Sequence, residues 1–216
     1  MKTWIISDTH CKHSELKIPS NIDMVIHAGD WAHTKSKLDN YLESKKFLNW
    51  MKGLHAKYKI IVSGNHNTAM EDVYRDDILR IMERLGIIYL EDSFTNIEGI
   101  TFYGSPWTPE FGRDWAFNIP KEHSGSIYDL IDDRTEVLIT HGPPYGILDL
   151  ARSGNVIGDM TLRRRVFDLP KLKYHIFGHL HECGGMLKNI DGVTFINAAA
   201  LNLNHTLTNN GIIIDL

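Results

Sequence analysis

Short apolar runs that end in a polar residue recur along the chain. In the first run, at 2–7, Trp4, Ile5 and Ile6 are consecutive rather than alternating with polar residues. Continuous apolar runs of this length are typical of strands that are buried on both faces of a sheet. We therefore predict buried strands at 2–7, 23–27, 58–62, 136–140 and 173–177.

Other stretches follow a helical period instead. The stretch 35–56 carries apolar residues three or four positions apart with charged residues between them, which predicts a helix that packs on a sheet. Shorter helices are predicted at 71–85, 127–132 and 159–168. Strands that alternate with helices indicate a parallel sheet. Further short strands, including two hairpins, are predicted at 87–90, 93–97, 100–103, 186–190, 194–197 and 211–216.

The polar residues that end the buried strands form one candidate site. In open α/β sheets, ligands bind in the crevice outside the carboxyl ends of the strands. Side chains that are far apart in sequence can therefore converge there. The candidate metal ligands are Asp8, His10, Asp30, Asn65, His141, His179 and His181.

This donor set favours two metal ions rather than one. It has too many donors for a single tetrahedral zinc ion and it lacks thiolates, so it suits borderline ions. We expect two divalent transition-metal ions, with manganese preferred and iron or zinc as alternatives. Two-metal sites hold their ions about 3.5–4 Å apart, lower the pKa of a bound water toward ~7, and stabilise the oxygens of a phosphoryl group during displacement. The sequence therefore predicts a hydrolase of phosphate esters.

Five motifs carry a resemblance to a known family. SDTH, HAGD, GNHN, THGPP and GHLH follow one another between residues 7 and 181, and this pattern resembles that of the calcineurin-like metallophosphoesterase superfamily. We accordingly expect a single domain over 1–216, built as a four-layer αββα sandwich of two mixed sheets flanked by helices. The resemblance implies that Asp30 bridges the two ions and that His66 is the general acid. It also implies one metal ion held by Asp8, His10 and His181, and a second held by Asn65, His141 and His179.

A closer resemblance is to the metallophosphoesterase-domain-containing subgroup, whose members resemble class III phosphodiesterases. It is carried by YGSPWTPEF at 103–111, WAFN at 115–118 and INA at 196–198. Some animal members have Gly in place of the first histidine of GHLH, whereas this chain keeps His179, so we expect a complete site. The chain departs from the superfamily at Asn67, where Glu or Asp is usual. We expect this amide to leave His66 easier to deprotonate.

The resemblance implies a metal-dependent phosphodiesterase. A hydroxide that bridges the two ions would attack phosphorus while His66 protonates the departing alkoxide, and the preferred small substrates are cyclic nucleotides. The alternatives are a phosphomonoesterase or protein phosphatase, a nuclease, and a metal-bound scaffold protein without turnover. The residues that follow Asp30 do not include the arginine that serine/threonine phosphatases carry there, which argues against a protein phosphatase.

Charge and hydropathy narrow these alternatives. The chain has 23 Lys and Arg against 27 Asp and Glu, a formal charge of −4, which disfavours nucleic acid as a partner. No segment approaches the ~20 apolar residues of a membrane span, and the first apolar stretch is shorter than the ~7–15 residues of a signal-peptide core. We therefore expect a cytoplasmic protein with no membrane partner.

Some residues keep two interpretations at this point. His27 is expected to be a hydrogen-bonded strand residue and His33 a loop residue, with a substrate contact as the alternative for His33. Arg163–Arg165 is expected to be a solvated helix face rather than a phosphate clamp. In the long irregular stretch 105–125, the aromatic residues are either core or a wall on which a nucleobase stacks. They are Trp107, Phe111, Trp115 and Phe117.

Overall fold

Two large β-sheets form the centre of the computed structural model, which describes residues 1–216. The strands of the first sheet are β1 (Lys2–Ile6), β2 (Met24–Ala28), β3 (Tyr58–Val62), β4 (Ile88–Tyr89) and β13 (Ile212–Asp215). Their order is β13-β1-β2-β3-β4. Neighbours from β1 to β4 run parallel and β13 is antiparallel to β1.

The second sheet is also mixed. Its order is β11-β12-β10-β9-β6-β5, with parallel strands in the middle and an antiparallel hairpin at each edge. Both predicted hairpins are present. The strands are β5 (Ser93–Ile97), β6 (Ile100–Ser105), β9 (Val137–Thr140), β10 (Tyr174–Phe177), β11 (Leu187–Ile190) and β12 (Val193–Asn197).

The stretch 105–125, which was predicted to be irregular, contains a small parallel sheet of its own. β7 (Thr108–Pro109) pairs with β8 (Asn118–Ile119). Each strand has only two residues, which is too short to show an alternating pattern in the sequence. The small sheet fixes the base of the loop that carries the aromatic residues.

Four α-helices flank the sheets: α1 (Lys37–Lys52), α2 (Arg75–Arg84), α3 (Ser124–Tyr128) and α4 (Met160–Asp168). Ser36 caps α1 by accepting a bond from the Asp39 N–H, so the helix starts later than predicted. α2 starts at Arg75 rather than at the predicted residue 71, because Thr68–Glu71 forms a 3₁₀ helix. α3 starts at Ser124, before the predicted helix at 127–132. None of the helices has both the length and the apolar character required to cross a membrane.

Three apolar clusters separate the four layers. Between the sheets, Ile5, Ile26 and Ile60 lie side by side on neighbouring strands of the first sheet and belong to the same cluster as strand residues of the second. The outer face of the first sheet, including Trp4, packs with residues of α1 and α2. The outer face of the second, including Phe177, packs with residues of α3 and α4. Burial on both faces explains the continuous apolar runs, and the αββα fold class is confirmed.

Candidate metal centre

The carboxyl ends of the parallel strands from both sheets meet at one edge of the sandwich. A bridge between Ser7 and Ala199 joins the two sheets there. The first sheet presents Asp8 and His10 after β1, Asp30 after β2, and Asn65 and His66 after β3; the second presents His141 after β9, and His179 and His181 after β10. The structure therefore brings all the predicted site residues together.

Four of these residues adopt left-handed backbone conformations, which are uncommon outside glycine. The φ angles are +52° at Asp8, +37° at His10, +58° at Asp30 and +65° at His179. Such conformations cost about 1–3 kcal/mol each and persist where the surrounding structure enforces them, often at functional sites. Their concentration at the strand ends marks this edge as a functional region.

Two glycines next to the candidate ligands allow the loops to approach one another. A Cβ atom at Gly178 would lie 2.0 Å from Asp8 Oδ2, and one at Gly29 would lie 2.4 Å from His141 Nδ1. Gly29 also has a φ of +103°, a conformation that residues with a Cβ atom disfavour. The glycines of HAGD and GHLH are thus required by the contact between loops of the two sheets.

One group of donors surrounds Asp8. His10 Nε2 lies 3.9 Å from Asp8 Oδ1 and 3.2 Å from His181 Nε2, and His181 Nε2 lies 3.6 Å from Asp8 Oδ1. Nδ1 of His10 donates to the Ala32 carbonyl and Nδ1 of His181 donates to the Asn202 carbonyl, each over 3.1 Å. Because Nδ1 of each ring donates to a carbonyl, Nε2 is the nitrogen that can offer a lone pair to a metal ion once it is deprotonated, and the two Nε2 atoms face each other across the site.

A second group surrounds Asn65. His141 Nε2 lies 2.9 Å from Asn65 Oδ1 and 3.2 Å from Asp30 Oδ2, and His179 Nδ1 lies 2.9 Å from Asn65 Oδ1. Nδ1 of His141 donates to the Ala28 carbonyl over 2.9 Å, which directs Nε2 toward the site. Asp30 connects the two groups, because its Oδ2 also lies 4.0 Å from His10 Nε2.

One carboxylate oxygen indicates that the site suits cations. Asp8 Oδ1 is buried without a hydrogen-bond partner, whereas Oδ2 accepts a bond from the His179 N–H at 2.9 Å. A buried charged oxygen without a partner is costly. The metal-binding atoms of Asp8, His10 and His181 lie within 4.8 Å of one another. The residues present therefore fit divalent ions held by carboxylate and imidazole donors.

Burial and the two carboxylates determine the protonation of the site. Burial lowers the pKa of His141, but the charge of Asp30 outweighs it and raises the pKa to about 9. Burial also lowers the pKa of His181, yet its contact with Asp8 raises the pKa to about 9. Burial disfavours the charged carboxylates, but the surrounding histidines hold the pKa of Asp8 and of Asp30 below the ordinary range. Metal binding would therefore release protons from the imidazoles.

His66 lies beside the first group of donors. Its Nδ1 donates to the His33 carbonyl over 2.9 Å, which leaves Nε2 without a protein partner. Its ring centroid lies 4.5 Å from that of His10 and 4.3 Å from that of Trp115. The imidazole is thus fixed at one nitrogen and available at the other.

Asn67 makes no hydrogen bond to the ring of His66, although a direct effect on this ring was expected. Its Oδ1 accepts bonds from the N–H groups of Asp30 (3.0 Å) and Gly64 (2.8 Å). The backbone of His66 in turn donates to Asp30 Oδ1 over 2.7 Å. Hydrogen bonds therefore connect Asn67 to His66 through Asp30, and the predicted effect on deprotonation stays a prediction.

Two buried polar residues of α1, which no motif in the sequence marks, support the site. Asn40 Nδ2 donates to the carbonyl of His66 over 2.6 Å, and its Oδ1 accepts from the Ala69 N–H over 3.1 Å. Ser44 Oγ accepts from Trp31 Nε1 over 2.9 Å. Their helical spacing of four positions was the only signal in the sequence.

His27 links two of the site loops, in agreement with its expected role as a hydrogen-bonded strand residue. Its Nδ1 accepts a bond from the Gly29 N–H over 3.3 Å, and its Nε2 lies 3.1 Å from Thr9 Oγ1. Thr9 separates Asp8 from His10. His27 therefore acts behind the candidate ligands rather than among them.

The opening of the site has two different sides. His66, His181 and His205 line one side, and His33 lies beside them, in ring contact with His66 and His205. We call these four residues the imidazole arc. Their rings surround that of His10, with centroid distances of 4.5 to 5.5 Å. His205 was not predicted, because it belongs to no motif and comes from the loop before β13.

Two aromatic residues line the other side, and we call Phe111 and Trp115 the aromatic wall. Their ring centroids are 6.1 Å apart, and Phe111 lies 5.1 Å from His179. By contrast, Phe117 is only 1% exposed, and Trp107 Nε1 donates to Asp92 Oδ2 over 2.7 Å. Trp107 and Phe117 therefore belong to the core, whereas Phe111 and Trp115 face the site. Each of the two interpretations holds for one pair.

A larger cavity adjoins the opening. It has a volume of about 770 Å³ and shares Phe111, His179, His181 and Leu203 with the opening. No residue of the arginine run lines the cavity or the opening. Arg164 is exposed, as expected for a solvated helix face, and pairs with Asp129 at 2.7 Å, whereas Arg163 and Arg165 are half-buried.

Comparison with known proteins decides the family. Residues 1–183 match the family model described as calcineurin-like phosphoesterase. The chain belongs to the calcineurin-like phosphoesterase family. Members of this family are dinuclear metal-dependent hydrolases of phosphoesters and act on small substrates. The resemblance inferred from the five motifs is thus confirmed.

Individual relatives agree with this assignment. This phosphoesterase is 34% identical over 238 residues to Metallophosphoesterase domain-containing protein 1 of Homo sapiens, with 98% of this chain and 69% of the relative covered. Among solved structures, Phosphopantetheinyl Hydrolase (PptH) from Mycobacterium tuberculosis has a TM-score of 0.63 at 18% identity, covering 94% of this chain and 90% of that one. TT1561 of Thermus thermophilus has a TM-score of 0.58 at 11% identity, covering 91% and 88%. Both of these solved structures share the fold of this chain.

Proposed function

We propose that this calcineurin-like phosphoesterase is a phosphodiesterase that hydrolyses a small phosphate diester, with cyclic nucleotides as preferred substrates. The composition of the opening carries the proposal. Its lining has imidazole, aromatic, carboxylate and amide groups but no Lys or Arg: His10, Asp30, Asn65, His66, Phe111, Trp115, His179, His181, Leu203 and His205. A diester carries one negative charge, whereas a phosphomonoester carries about −1.5 to −2 at neutral pH. The opening itself has no ammonium or guanidinium group in its lining, unlike the adjoining cavity, which Lys121 lines, and this suits the less charged substrate at the reacting phosphate.

In this proposal two divalent ions, manganese first, complete the site. When bound, they would lower the pKa of water and neutralise charge on the phosphoryl oxygens. The proposed ligands are Asp8, His10 and His181 for the first ion, Asn65, His141 and His179 for the second, and Asp30 for both.

His66 is proposed as the general acid that protonates the leaving oxygen. The bond from its Nδ1 to the His33 carbonyl fixes the ring, so that Nε2 is the atom available to the substrate. Imidazole suits this role because its ordinary pKa lies close to neutral pH.

The aromatic wall supports a nucleotide as substrate. Lys35 Nζ covers one face of Trp115 at 3.8 Å from the ring centroid, while Phe111 is 39% exposed. Stacking of a base on an aromatic side chain contributes about 1–3 kcal/mol. The adjoining cavity of about 770 Å³ lies within the range of small-molecule sites.

One substrate panel tests the proposal. Manganese-loaded protein is assayed against bis- and mono-p-nitrophenyl phosphate, cyclic nucleotides and DNA. We expect the highest kcat/KM with diesters of low molecular mass. His66→Gln should lower kcat by about 10²- to 10⁴-fold with unchanged metal content, and by less when the leaving group is p-nitrophenolate, which needs little protonation. His55→Gln, at an exposed histidine between α1 and β3, is the matched control.

Each of the other possible results of the substrate panel supports one of the alternative functions. Preference for the monoester would support a phosphomonoesterase or protein phosphatase, and preference for DNA would support a nuclease. Metal binding without turnover of any substrate under several metals would support a non-catalytic scaffold.

A further inference from the structure

Two residues of the imidazole arc have no role in the proposed chemistry. The rings of His33 and His205 lie 4.8 Å apart between centroids, and each also contacts the ring of His10. One ring nitrogen from each of His33, His205 and His10 lies within 4.8 Å of the other two. Two imidazoles thus converge at the side of the opening next to the first group of donors.

The position of His205 is built into the structure. Its φ of +52° is left-handed, and its N–H donates to the Asn202 carbonyl over 2.8 Å. The same carbonyl accepts the bond from His181 Nδ1. Asn202 Oδ1 also accepts from the N–H groups of Asn204 (2.9 Å) and Thr206 (3.0 Å). One residue, Asn202, therefore positions both a candidate metal ligand and His205.

His33 is held from two directions. Its N–H donates to Glu43 Oε2 on α1 over 2.8 Å, and its carbonyl accepts the bond from His66 Nδ1. Its ring stacks on that of His66 with an interplanar angle of 9° and a centroid distance of 5.6 Å. His33 is therefore tied to the proposed general acid.

The ring nitrogens of both residues lack protein partners. His205 Nδ1 is buried without a hydrogen bond, and no side chain or carbonyl bonds to the ring of His33. His205 lines the opening, and a neutral imidazole offers one N–H donor, so its ring can donate to a ligand there that accepts hydrogen bonds.

We propose that His33 and His205 together bind a non-bridging oxygen of the substrate phosphate. The inference rests on the proposed function, which places the phosphate at the same opening. The pair supplies hydrogen bonds without a fixed positive charge, and it therefore favours a singly charged diester over a doubly charged monoester. A third metal ion fits less well. His10 Nδ1 already donates to a carbonyl, so its Nε2 can serve only one ion, and two remaining histidines are fewer than the four ligands of a tetrahedral site.

Phosphate binding and kinetics test the pair. Titration calorimetry of manganese-loaded protein with inorganic phosphate gives a dissociation constant that does not depend on turnover, and bis-p-nitrophenyl phosphate gives kcat and KM. His33→Ala and His205→Ala should each weaken phosphate binding and raise KM by about 10-fold, the effect of one hydrogen bond to a charged group. The kcat should change less. His55→Ala is the matched control, and metal content should equal that of the wild type.

Two further variants sharpen the test. His205→Gln keeps an N–H donor and should recover part of the affinity, and it provides a second measurement if thermal unfolding shows that His205→Ala is misfolded. The double variant should lose less than the product of the single losses, because both residues bind one oxygen.

The outcomes separate this inference from the proposed function. Unchanged phosphate affinity and KM in both single variants, or a wild-type protein that does not bind phosphate, would overturn the inference. Loss of a metal ion in either variant would overturn it in favour of metal ligation. Failure of the wild type to hydrolyse any diester would overturn the proposed function, while the phosphate titration would still decide the role of the pair.

Discussion

The two sides of the opening are stabilised in different ways. In the imidazole arc, ring nitrogens donate to backbone carbonyls, as His66 does to His33 and His181 does to Asn202. In the aromatic wall, Phe111 is fixed through its backbone N–H, which donates to Asn118 Oδ1 over 3.1 Å, while its ring stays partly exposed. Hydrogen bonds orient individual donor atoms, whereas packing only provides a surface. We therefore expect changes at His66 and His181, whose rings are fixed by these bonds, to affect metal binding and chemistry. Changes in the wall should affect the choice of substrate.

Asp30→Asn should give the largest effect, because Asp30 contacts donors of both groups. Metal analysis by mass spectrometry should show that both ions are lost or weakened, with activity abolished. His181→Ala removes a donor from the first group only and should mainly weaken one ion. Two tightly bound ions in Asp30→Asn would show that Asp30 does not bridge.

Gly178→Ala should damage mainly the first group of donors. The added Cβ would lie 2.0 Å from Asp8 Oδ2, so Asp8 or the loop must move. We expect weaker binding of one ion and a loss of about 1–3 kcal/mol in the free energy of unfolding, as for other overpacked sites. Gly125→Ala in α3 is the control, because its Cβ would meet only ordinary contacts of 3.8 Å or more. Equal metal content and stability in both variants would contradict this account.

Phe111→Ala tests the aromatic wall by itself. With thymidine 5′-p-nitrophenyl phosphate, kcat/KM should fall by about 5- to 100-fold, which corresponds to the stacking energy of one base. With methyl p-nitrophenyl phosphate, which has no base, it should change little. Phe94→Ala, at a half-exposed phenylalanine on β5, is the matched control. An equal loss with both substrates would mean that the wall does not recognise a base.

The smallest effect is expected from His175, a buried histidine that faces neither side of the opening. Burial lowers the pKa of His175 from 6.5 to about 3, and its Nε2 lies 2.9 Å from Thr140 Oγ1. Below about pH 6.5 the unfolded chain binds this proton but the folded protein does not. The contribution of His175 to stability is therefore full above pH 6.5 and is lost as the pH falls toward 3.

Urea unfolding of metal-free protein between pH 7.5 and 4.5 measures this contribution. His175→Gln removes the titrating group but keeps a donor for Thr140. Its free energy of unfolding should fall less steeply with decreasing pH than that of the wild type. Parallel pH profiles would show that His175 is not a buried neutral imidazole.

Much of the fold and of the candidate site was predictable because both depend on short local patterns. Consecutive apolar residues such as Trp4, Ile5 and Ile6 indicate burial on both faces of a strand, and the polar residue that follows marks the end of the strand. The glycine before Asp30 is part of the same local signal, since the backbone there needs a positive φ.

Other features could not be predicted because they depend on partners far away in sequence. Leu38 and Leu42 follow a helical period, yet they are 52% and 46% exposed, while the polar Asn40 and Ser44 of α1 are buried. The polar pair is buried because the loops that carry Trp31 and His66 supply hydrogen-bond partners. A hydropathy pattern does not contain this information.

The sequence by itself determined the fold class, the family and the order of candidate metal ligands, because each ligand follows directly from a strand that its own neighbours specify. Only the tertiary structure decided which aromatic residues face the site, that α1 supports His66 through Asn40, and that His205 joins His33 at the opening. The reason is physical. Chain direction and burial are encoded locally, whereas the orientation of a side chain depends on the carbonyls, rings and cavities that folding brings to it.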